Sequence, residues 1–145
     1  MIGLIQRVNQ ASVEIEQRKV ASIDQGILLL LGIEREDNGL NLDKLLRKIL
    51  NYRIFNDDNG RMNLSITDIQ AELLIVSQFT LVADTAKGNR PGFSRGATPE
   101  HGKVMFTEFV NKATEQHKLV SAGVFGADMK ISLINDGPVT FWLQA

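Results

Sequence analysis

The chain has 145 residues, of which 43% are hydrophobic and 23% charged, and this balance is ordinary for a globular protein with one core. Its net charge of -1 excludes a strong overall electrostatic attraction to nucleic acid, so any phosphate contact must come from a local basic patch. The chain contains no cysteine, which excludes disulfides, thiolate metal sites and a cysteine nucleophile.

Features of membrane insertion or secretion are not evident in the sequence. The longest apolar run, residues 27–31, is far too short to cross a bilayer. The first residues lack the basic start and the long apolar stretch of a signal peptide. We therefore predict a cytoplasmic protein that makes no contact with a membrane.

The first part of the chain predicts β-structure. Residues 2–8 and 11–16 favour two strands separated by Asn9-Gln10, and residues 18–23 favour a third. Residues 26–33 show no polar alternation, which predicts a central strand that is covered on both faces. Arg7 interrupts the first strand, and both a solvated strand residue and a functional residue fit this position.

An amphipathic helix follows, with Asn41 as its predicted N-cap. Its buried stripe has the spacing of one helical face and consists of Leu42, Leu45, Leu46, Ile49 and Leu50. Residues 56–61 predict a turn whose acidic and amide side chains resemble a calcium loop. The twelfth position counted from Asn56 is Thr67, where such a loop needs glutamate, so we reject calcium there.

The stretch from Leu73 to Leu81 contains the best candidate for a functional site, Ser77 to Thr80. Four consecutive branched apolar residues predict a strand that is buried on both faces, and polar residues follow at once. A strand end in which Ser77 and Thr80 bond their own neighbouring backbone is the alternative interpretation.

Residues 83–96 predict a long basic loop that carries Lys87, Arg90 and Arg95. These cations suit contacts with nucleic-acid phosphates, and solvated charge is the alternative. A second helix is predicted from Thr98 to Gln116. Strands are predicted at residues 118–124, 129–135 and 139–143, with a turn at residues 136–138.

The sequence lacks the common nucleotide-binding and catalytic motifs. A phosphate loop fails because Ala97 stands where its first glycine belongs and Val104 where it needs serine or threonine. His101 and His117 fall at the two ends of the second helix, so a Ser-His-Asp triad has little support. A hydrolase built from this chain would depend on backbone donors, a hydroxyl group and the substrate's own groups.

Five short motifs occur in the chain in the order Ile5-Gln6-Arg7-Val8, Ser77-Gln78-Phe79-Thr80-Leu81, Arg90-Pro91-x-Phe93, Gly123-Val124-Phe125-Gly126-Ala127-x-Met129 and Asn135-x-Gly137-Pro138-Val139-Thr140. They resemble, in the same order, motifs of the D-aminoacyl-tRNA deacylases, and the similarity extends over the whole chain. Each motif alone is weak, but the combination is specific.

The resemblance implies an α+β fold, in which curved, largely antiparallel or mixed β-sheets form a barrel-like core backed by two main helices. It implies one domain over residues 1–145 and a homodimer with an active site at each subunit boundary. In that family the Gly-Pro bond is cis, and the motif of one subunit reaches into the pocket of the other.

The resemblance also implies hydrolysis of the ester that joins a D-amino acid, or glycine, to the ribose at the 3′ end of tRNA. Neither a metal nor a cofactor is expected. The residues that it places at the scissile ester and the terminal adenosine are Ser77, Gln78, Phe79 and Thr80.

Five further residues are implied around this catalytic motif. Gly137 and Pro138 read chirality, since their carbonyl groups form an acceptor pair for the ammonium group of the substrate. Arg7 braces the motif, and Phe125 and Met129 are neighbours in the pocket. A simple turn at residues 136–138 is the alternative that the local sequence alone favours.

Two catalytic roles are open for Thr80, because it is either a covalent nucleophile or a positioning group. No histidine, lysine or carboxylate stands near it in sequence as an activating base, so we predict that it positions the reaction. The backbone N–H groups of Phe79 and Thr80 are expected to hold the developing oxyanion. Two rival functions also remain, an RNA-binding module without chemistry and a small-molecule hydrolase or ligand-binding dimer that ignores RNA.

Overall fold

The computed structural model describes residues 1–145 and contains eight strands, three α-helices and one 3-10 turn. The strands are β1 (Ile2–Ile15), β2 (Arg18–Ile23), β3 (Gly26–Gly32), β4 (Phe55–Asn56), β5 (Met62–Leu64), β6 (Glu72–Ser77), β7 (Val120–Ala122) and β8 (Lys130–Gln144). The helices are α1 (Gly39–Leu50), α2 (Ile66–Ile69) and α3 (Pro99–Gln116), and the 3-10 turn is Phe79–Val82.

Six of the strands form one mixed sheet in the order β2-β1-β3-β6-β7, with β8 on the other edge of β1. β1 pairs antiparallel with β2, β3 and β8, whereas β3, β6 and β7 run parallel to one another. The sheet curls until β2 contacts β6 and β7, which gives a barrel-like core. The predicted α+β fold, backed by the two main helices α1 and α3, is confirmed.

Alternate residues of β3 and β6 enter two separate hydrophobic cores. Leu29 and Ile75 belong to the larger core, which includes the buried stripes of α1 and α3. Leu28 and Leu74 belong to a smaller core on the opposite face of the sheet. The unbroken apolar runs of these strands reflect burial on both faces, as the sequence predicts.

The predicted break at Asn9-Gln10 is wrong, because β1 is one continuous strand from Ile2 to Ile15. Its first half pairs with β3 and its second half with β2, and the two exposed polar residues lie where the partner changes. The pairing of β1 with β8 shifts register next to this point. Polar residues here mark an exchange of partners within a strand.

The predicted turn at residues 136–138 is wrong as well. Asn135 is the partner of Val8 and Thr140 is the partner of Gln6, so both flanking segments pair with β1 in the same direction. The residues between them form a protrusion inside β8, which we call the β8 bulge (residues 136–139). A bulge of this kind re-aims backbone groups without reversing the chain.

Several boundaries also differ from the predicted ones. The N-cap of α1 is Asn38, whose side chain accepts from the Leu40 N–H at 2.9 Å, while Asn41 completes the capping box from inside the helix. The strand predicted at residues 118–124 contains only β7. The small β4–β5 hairpin and the one-turn α2 were not predicted, because their short segments carry no extended periodicity.

None of the helices combines the length with the apolar character that crossing a bilayer requires.

Phe109→Ala should destabilise the protein severely. The Phe109 side chain is 0% exposed within the larger core, so its removal leaves a cavity that costs about 3–5 kcal/mol of unfolding free energy. Val104 lies on the same helix but is 63% exposed, and Val104→Ala should cost less than about 0.5 kcal/mol. Urea unfolding of both variants measures the difference, and equal losses would contradict this division of α3 into a buried and an exposed face.

Candidate active site

A cavity of about 490 Å³ opens where β6 ends. Among the residues that the sequence predicts as site residues, those that line the cavity are Ser77, Gln78, Phe79, Phe125 and Met129. The size and the largely apolar lining are those of a site for a small molecule or for one end of a larger substrate.

The polar end of β6 is shaped by the change from strand to 3-10 turn. The Gln78 N–H still follows the strand pairing and donates to the Leu31 carbonyl at 2.8 Å. The Gln78 side chain then donates from Nε2 to Thr80 Oγ1 at 2.6 Å. Neither the Ser77 nor the Thr80 hydroxyl bonds the neighbouring backbone, so the strand-end alternative does not describe this segment.

Two backbone donors lie at the start of the 3-10 turn. The first N–H groups of such a turn have no partner within it, and those of Phe79 and Thr80 occupy this position. Gln78 is the N-cap residue, but its side chain makes no capping bond to them. The turn therefore presents two N–H donors beside the cavity.

Aromatic rings flank the cavity on two sides. Phe79 is 66% exposed and packs against Phe93 with ring centroids 5.2 Å apart. Phe125 lies on the other side, where its ring is 5.8 Å from that of Phe106 on α3. Exposed ring faces of this kind suit stacking with a planar group such as a nucleobase.

Arg7 lies under the β8 bulge and is only 8% exposed, so the solvated alternative for this residue is wrong. Its Nε donates to the Asp136 carbonyl at 3.0 Å and forms an ion pair with the Asp136 carboxylate at 3.1 Å. Its Nη1 donates to the Ile54 carbonyl at 2.6 Å. These bonds fasten the first residue of the bulge to the body of the protein.

Gly137 and Pro138 are exposed and do not line the cavity of their own chain. Their peptide bond is cis, and Gly137 has φ 147°, a conformation that favours glycine. Asn135 closes the bulge, since its Oδ1 accepts from the Val139 N–H at 2.7 Å. The bulge is thus a braced surface feature.

The three predicted phosphate contacts divide into two groups. Lys87 and Arg90 are exposed and have no ion-pair partner. They lie on a loop whose ends are joined by two hydrogen bonds between Asp84 and Gly92. Arg95 instead pairs with Glu34 at 2.9 Å.

The two histidine rings lie outside the cavity, each within hydrogen-bond distance of a backbone carbonyl group. His117 is 4% exposed, and its Nε2 lies 2.7 Å from the Ala71 carbonyl oxygen. His101 Nε2 lies 2.9 Å from the Asp37 carbonyl oxygen. Neither ring lines the cavity.

The start of α3 and the two residues before it also line the cavity, which the sequence did not predict. Its contributors are Ala97, Thr98, Pro99 and Gly102. The available signal was Gly102, a glycine inside a predicted helix, where it costs about 1 kcal/mol relative to alanine. A Cβ at this position would lie 3.1 Å from Cζ of Phe125, so the glycine makes room for that ring.

Comparison with known proteins assigns the chain to a family. The sequence profile described as D-Tyr-tRNA(Tyr) deacylase matches residues 4–144. The chain therefore belongs to the D-Tyr-tRNA(Tyr) deacylase family.

Relatives named D-aminoacyl-tRNA deacylase match nearly the whole chain. The protein of Alteromonas mediterranea is 55% identical over 141 residues, which cover 97% of each chain. The protein of Haemophilus influenzae is 55% identical over 144 residues, which cover 99% of each chain.

Two solved structures are similar to this chain over nearly its whole length. A protein described as c-Myc DNA Unwinding Element Binding Protein matches with a TM-score of 0.96 and 38% identity, covering 100% of this chain and 99% of the other. The structure of a probable eukaryotic D-amino acid tRNA deacylase matches with a TM-score of 0.86, covering 99% and 98% of the two chains. At 15% identity, this second likeness shows the fold alone.

Gly102→Ala should separate stability from activity. Alanine in place of glycine favours the helix by about 1 kcal/mol. Any fall in the free energy of unfolding should therefore not exceed the strain energy needed to move the Phe125 ring. The displaced Phe125 ring should narrow the cavity and lower kcat/KM for D-Tyr-tRNA, the substrate in the family's name, by roughly fivefold for each ~1 kcal/mol of lost binding.

Gly39→Ala is the matched control for this variant. Gly39 begins α1, and a Cβ there would meet only Glu108 Oε1 at 3.9 Å. Thermal unfolding and steady-state hydrolysis should be measured for both variants. If Gly102→Ala and Gly39→Ala changed kcat/KM equally, the contact between Gly102 and Phe125 would have no bearing on the cavity.

Proposed function

We propose that this protein hydrolyses the ester that links a D-amino acid, or glycine, to the 3′-terminal ribose of tRNA, and that it rejects L-aminoacyl esters. The observation that carries the proposal is the Ser77-Gln78-Phe79 lining of the cavity, in a chain that is 55% identical to D-aminoacyl-tRNA deacylases. The enzyme is a carboxylic ester hydrolase in which residues 1–145 act as one domain. Because aminoacyl-tRNA is used in translation, a cytoplasmic location of the enzyme is part of the proposal.

The chemistry proposed for the site uses backbone donors. Water attacks the ester carbonyl, and the N–H groups of Phe79 and Thr80 stabilise the negative charge that develops on the carbonyl oxygen. The ester bond to the ribose then breaks, leaving a free amino acid and a free ribose hydroxyl. Preorganised donors of this kind are worth about 2.7–4 kcal/mol each in well-studied hydrolases.

Thr80 acts in this proposal as a positioning group. Its Oγ1 already accepts a hydrogen bond from Gln78 at 2.6 Å, so its own proton is free to point to the substrate or to the attacking water. No imidazole, amine or carboxylate bonds this hydroxyl as an activating base. The vicinal hydroxyl of the terminal ribose is the remaining group that can help to position the attack.

The aromatic rings of the cavity supply the proposed contact with the terminal adenosine. Phe79 and Phe93 form an exposed pair of tilted rings, and Phe125 and Met129 belong to the apolar lining. Stacking of a base on an aromatic ring contributes about 1–3 kcal/mol and needs no particular base sequence. This end of every tRNA is the same, which suits a site of this kind.

The β8 bulge is proposed to act in the cavity of a second subunit. Its tip, Gly137 and Pro138, is exposed and lies outside the cavity of its own chain. Large apolar side chains on the same strand are also exposed, namely Leu133 at 36%, Ile134 at 50% and Trp142 at 52%. Exposed apolar side chains beside a braced backbone feature are typical of a surface that binds another protein, and we propose a homodimer.

In such a dimer, Gly137 and Pro138 filter chirality by exclusion. Their carbonyl groups accept hydrogen bonds from the substrate ammonium, which fixes the directions of the α-hydrogen and the side chain. Gly137 has no Cβ, so its backbone approaches the substrate closely. An L side chain then meets backbone atoms, whereas D-amino acids of many sizes and glycine pass.

Matched D- and L-aminoacyl-tRNAs test the proposed function. The protein should release the amino acid from D-Tyr-tRNA and glycyl-tRNA, and L-Tyr-tRNA should stay intact. The loss of ester should be followed with radiolabelled amino acid. A protein that binds tRNA without releasing amino acid would be an RNA-binding module, and one that cleaves simple esters but not aminoacyl-tRNA would be a small-molecule hydrolase.

Lys87→Ala/Arg90→Ala should weaken tRNA binding through lost phosphate contacts. The loss should be about equal for every tRNA, and the slope of log K against log salt should flatten by about 0.7–0.9 for each lost contact. Lys44→Ala/Lys48→Ala on α1 removes the same charge from exposed positions elsewhere and serves as the control. A control with the same change of slope would show that only net charge matters.

A further inference from the structure

One wall of the cavity is built from the segment that follows the basic loop. Phe93, Gly96 and Ala97 line the cavity, but Arg95 lies between them without lining it. The Arg95 side chain points instead to Glu34, with Nη2 at 2.9 Å from Oε1. The segment therefore has a cavity side and a side that faces the rest of the protein.

Four contacts fasten this wall to the end of β3 and the residues that follow it. Two are backbone bonds, from the Arg35 N–H to the Arg95 carbonyl at 3.0 Å and from the Ala97 N–H to the Ile33 carbonyl at 3.1 Å. The Arg35 side chain donates to the Ser94 carbonyl at 2.6 Å. The ion pair between Arg95 and Glu34 is the only one of the four that is formed by two side chains.

The carboxylate of Glu34 is itself held in place. Its Oε2 accepts from the α-amino group of Met1 at 2.9 Å and from Gln144 at 3.4 Å, and its side chain is 18% exposed. Burial by itself raises the pKa of Glu34, but the hydrogen bond and charge of the Met1 amine and the bond to Arg95 outweigh it and lower the pKa. The group is thus a fixed anion at neutral pH.

We propose that Glu34 and Arg95 form a clamp, in which both act as positioning residues that fix the cavity wall carrying Phe93, and that Arg95 is not a tRNA contact. The proposal rests on the proposed function. It divides the basic loop in two, because Lys87 and Arg90 are free to meet phosphate whereas the charge of Arg95 is already matched. The wall carries half of the aromatic pair on which the terminal adenosine is proposed to stack.

A minimal substrate separates positioning from phosphate contact. A D-tyrosyl ester of adenosine contains the scissile ester and the terminal nucleoside but no phosphate. Arg95→Ala should lower kcat/KM on this substrate and on D-Tyr-tRNA by the same factor, up to roughly fivefold for a part-exposed ion pair. Lys87→Ala/Arg90→Ala should lower it only on D-Tyr-tRNA.

Glu34→Gln provides the second arm of the test. An acidic residue makes no favourable contact with phosphate, so a loss of activity like that of Arg95→Ala supports the clamp. The double variant Glu34→Gln/Arg95→Ala should lose less than the product of the two single losses, because both remove the same ion pair. Losses that multiply, or an effect of Arg95→Ala on D-Tyr-tRNA alone, would overturn the proposal.

Hydrogen exchange gives a readout that does not depend on activity. The amide of Ala97, which bonds the Ile33 carbonyl, should exchange faster in Arg95→Ala and Glu34→Gln than in the wild type, and at the wild-type rate in Lys87→Ala/Arg90→Ala. Unchanged exchange in Arg95→Ala would overturn the clamp. A wild-type protein that cleaves no D-aminoacyl ester would instead refute the proposed function and leave this arm to test the clamp alone.

Discussion

The parallel pairing of β3, β6 and β7 is the constraint on which the site depends. Parallel strands end at the same edge of a sheet, so the residues that follow them are brought together whatever their distance in sequence. Ile33 follows β3, Gln78 follows β6 and Gly123 follows β7. The cavity forms in the crevice at this edge, and the start of α3 contributes to its lining.

This arrangement explains why the polar residues of β6 begin where they do. Up to Val76 the strand is buried on both faces, and a polar side chain there would be desolvated without a partner. Ser77 is the partner of Leu31 near the end of the pairing, and the chain then leaves the sheet as a 3-10 turn. Donors that a longer strand would use for pairing are left without a partner in the turn.

The sequence predicted those features that depend on a long periodic pattern. The two main helices, the doubly buried β3 and the polar end of β6 were all recognisable, because each is specified by its own residues. Features that depend on partners were missed. Asn9 looks like a break until its neighbours are seen to exchange β3 for β2, and residues 136–138 look like a turn until both flanks are found on β1. The contribution of Gly102 to the cavity was not predicted, because this glycine makes room for the ring of Phe125, which lies 23 residues further along the chain.

Arg7 illustrates how buried charge supports the proposed filter. Burying a guanidinium group costs several kcal/mol, and one ion pair rarely returns the whole cost, so such a residue is a poor way to gain stability. What Arg7 provides is geometry, since Asp136 is held through both its carbonyl and its carboxylate. Selection by exclusion needs a backbone that does not yield when the wrong side chain meets it. A bulge tied to a buried cation on one side and to Asn135 on the other satisfies that need on a surface strand, where packing alone would leave it free to move.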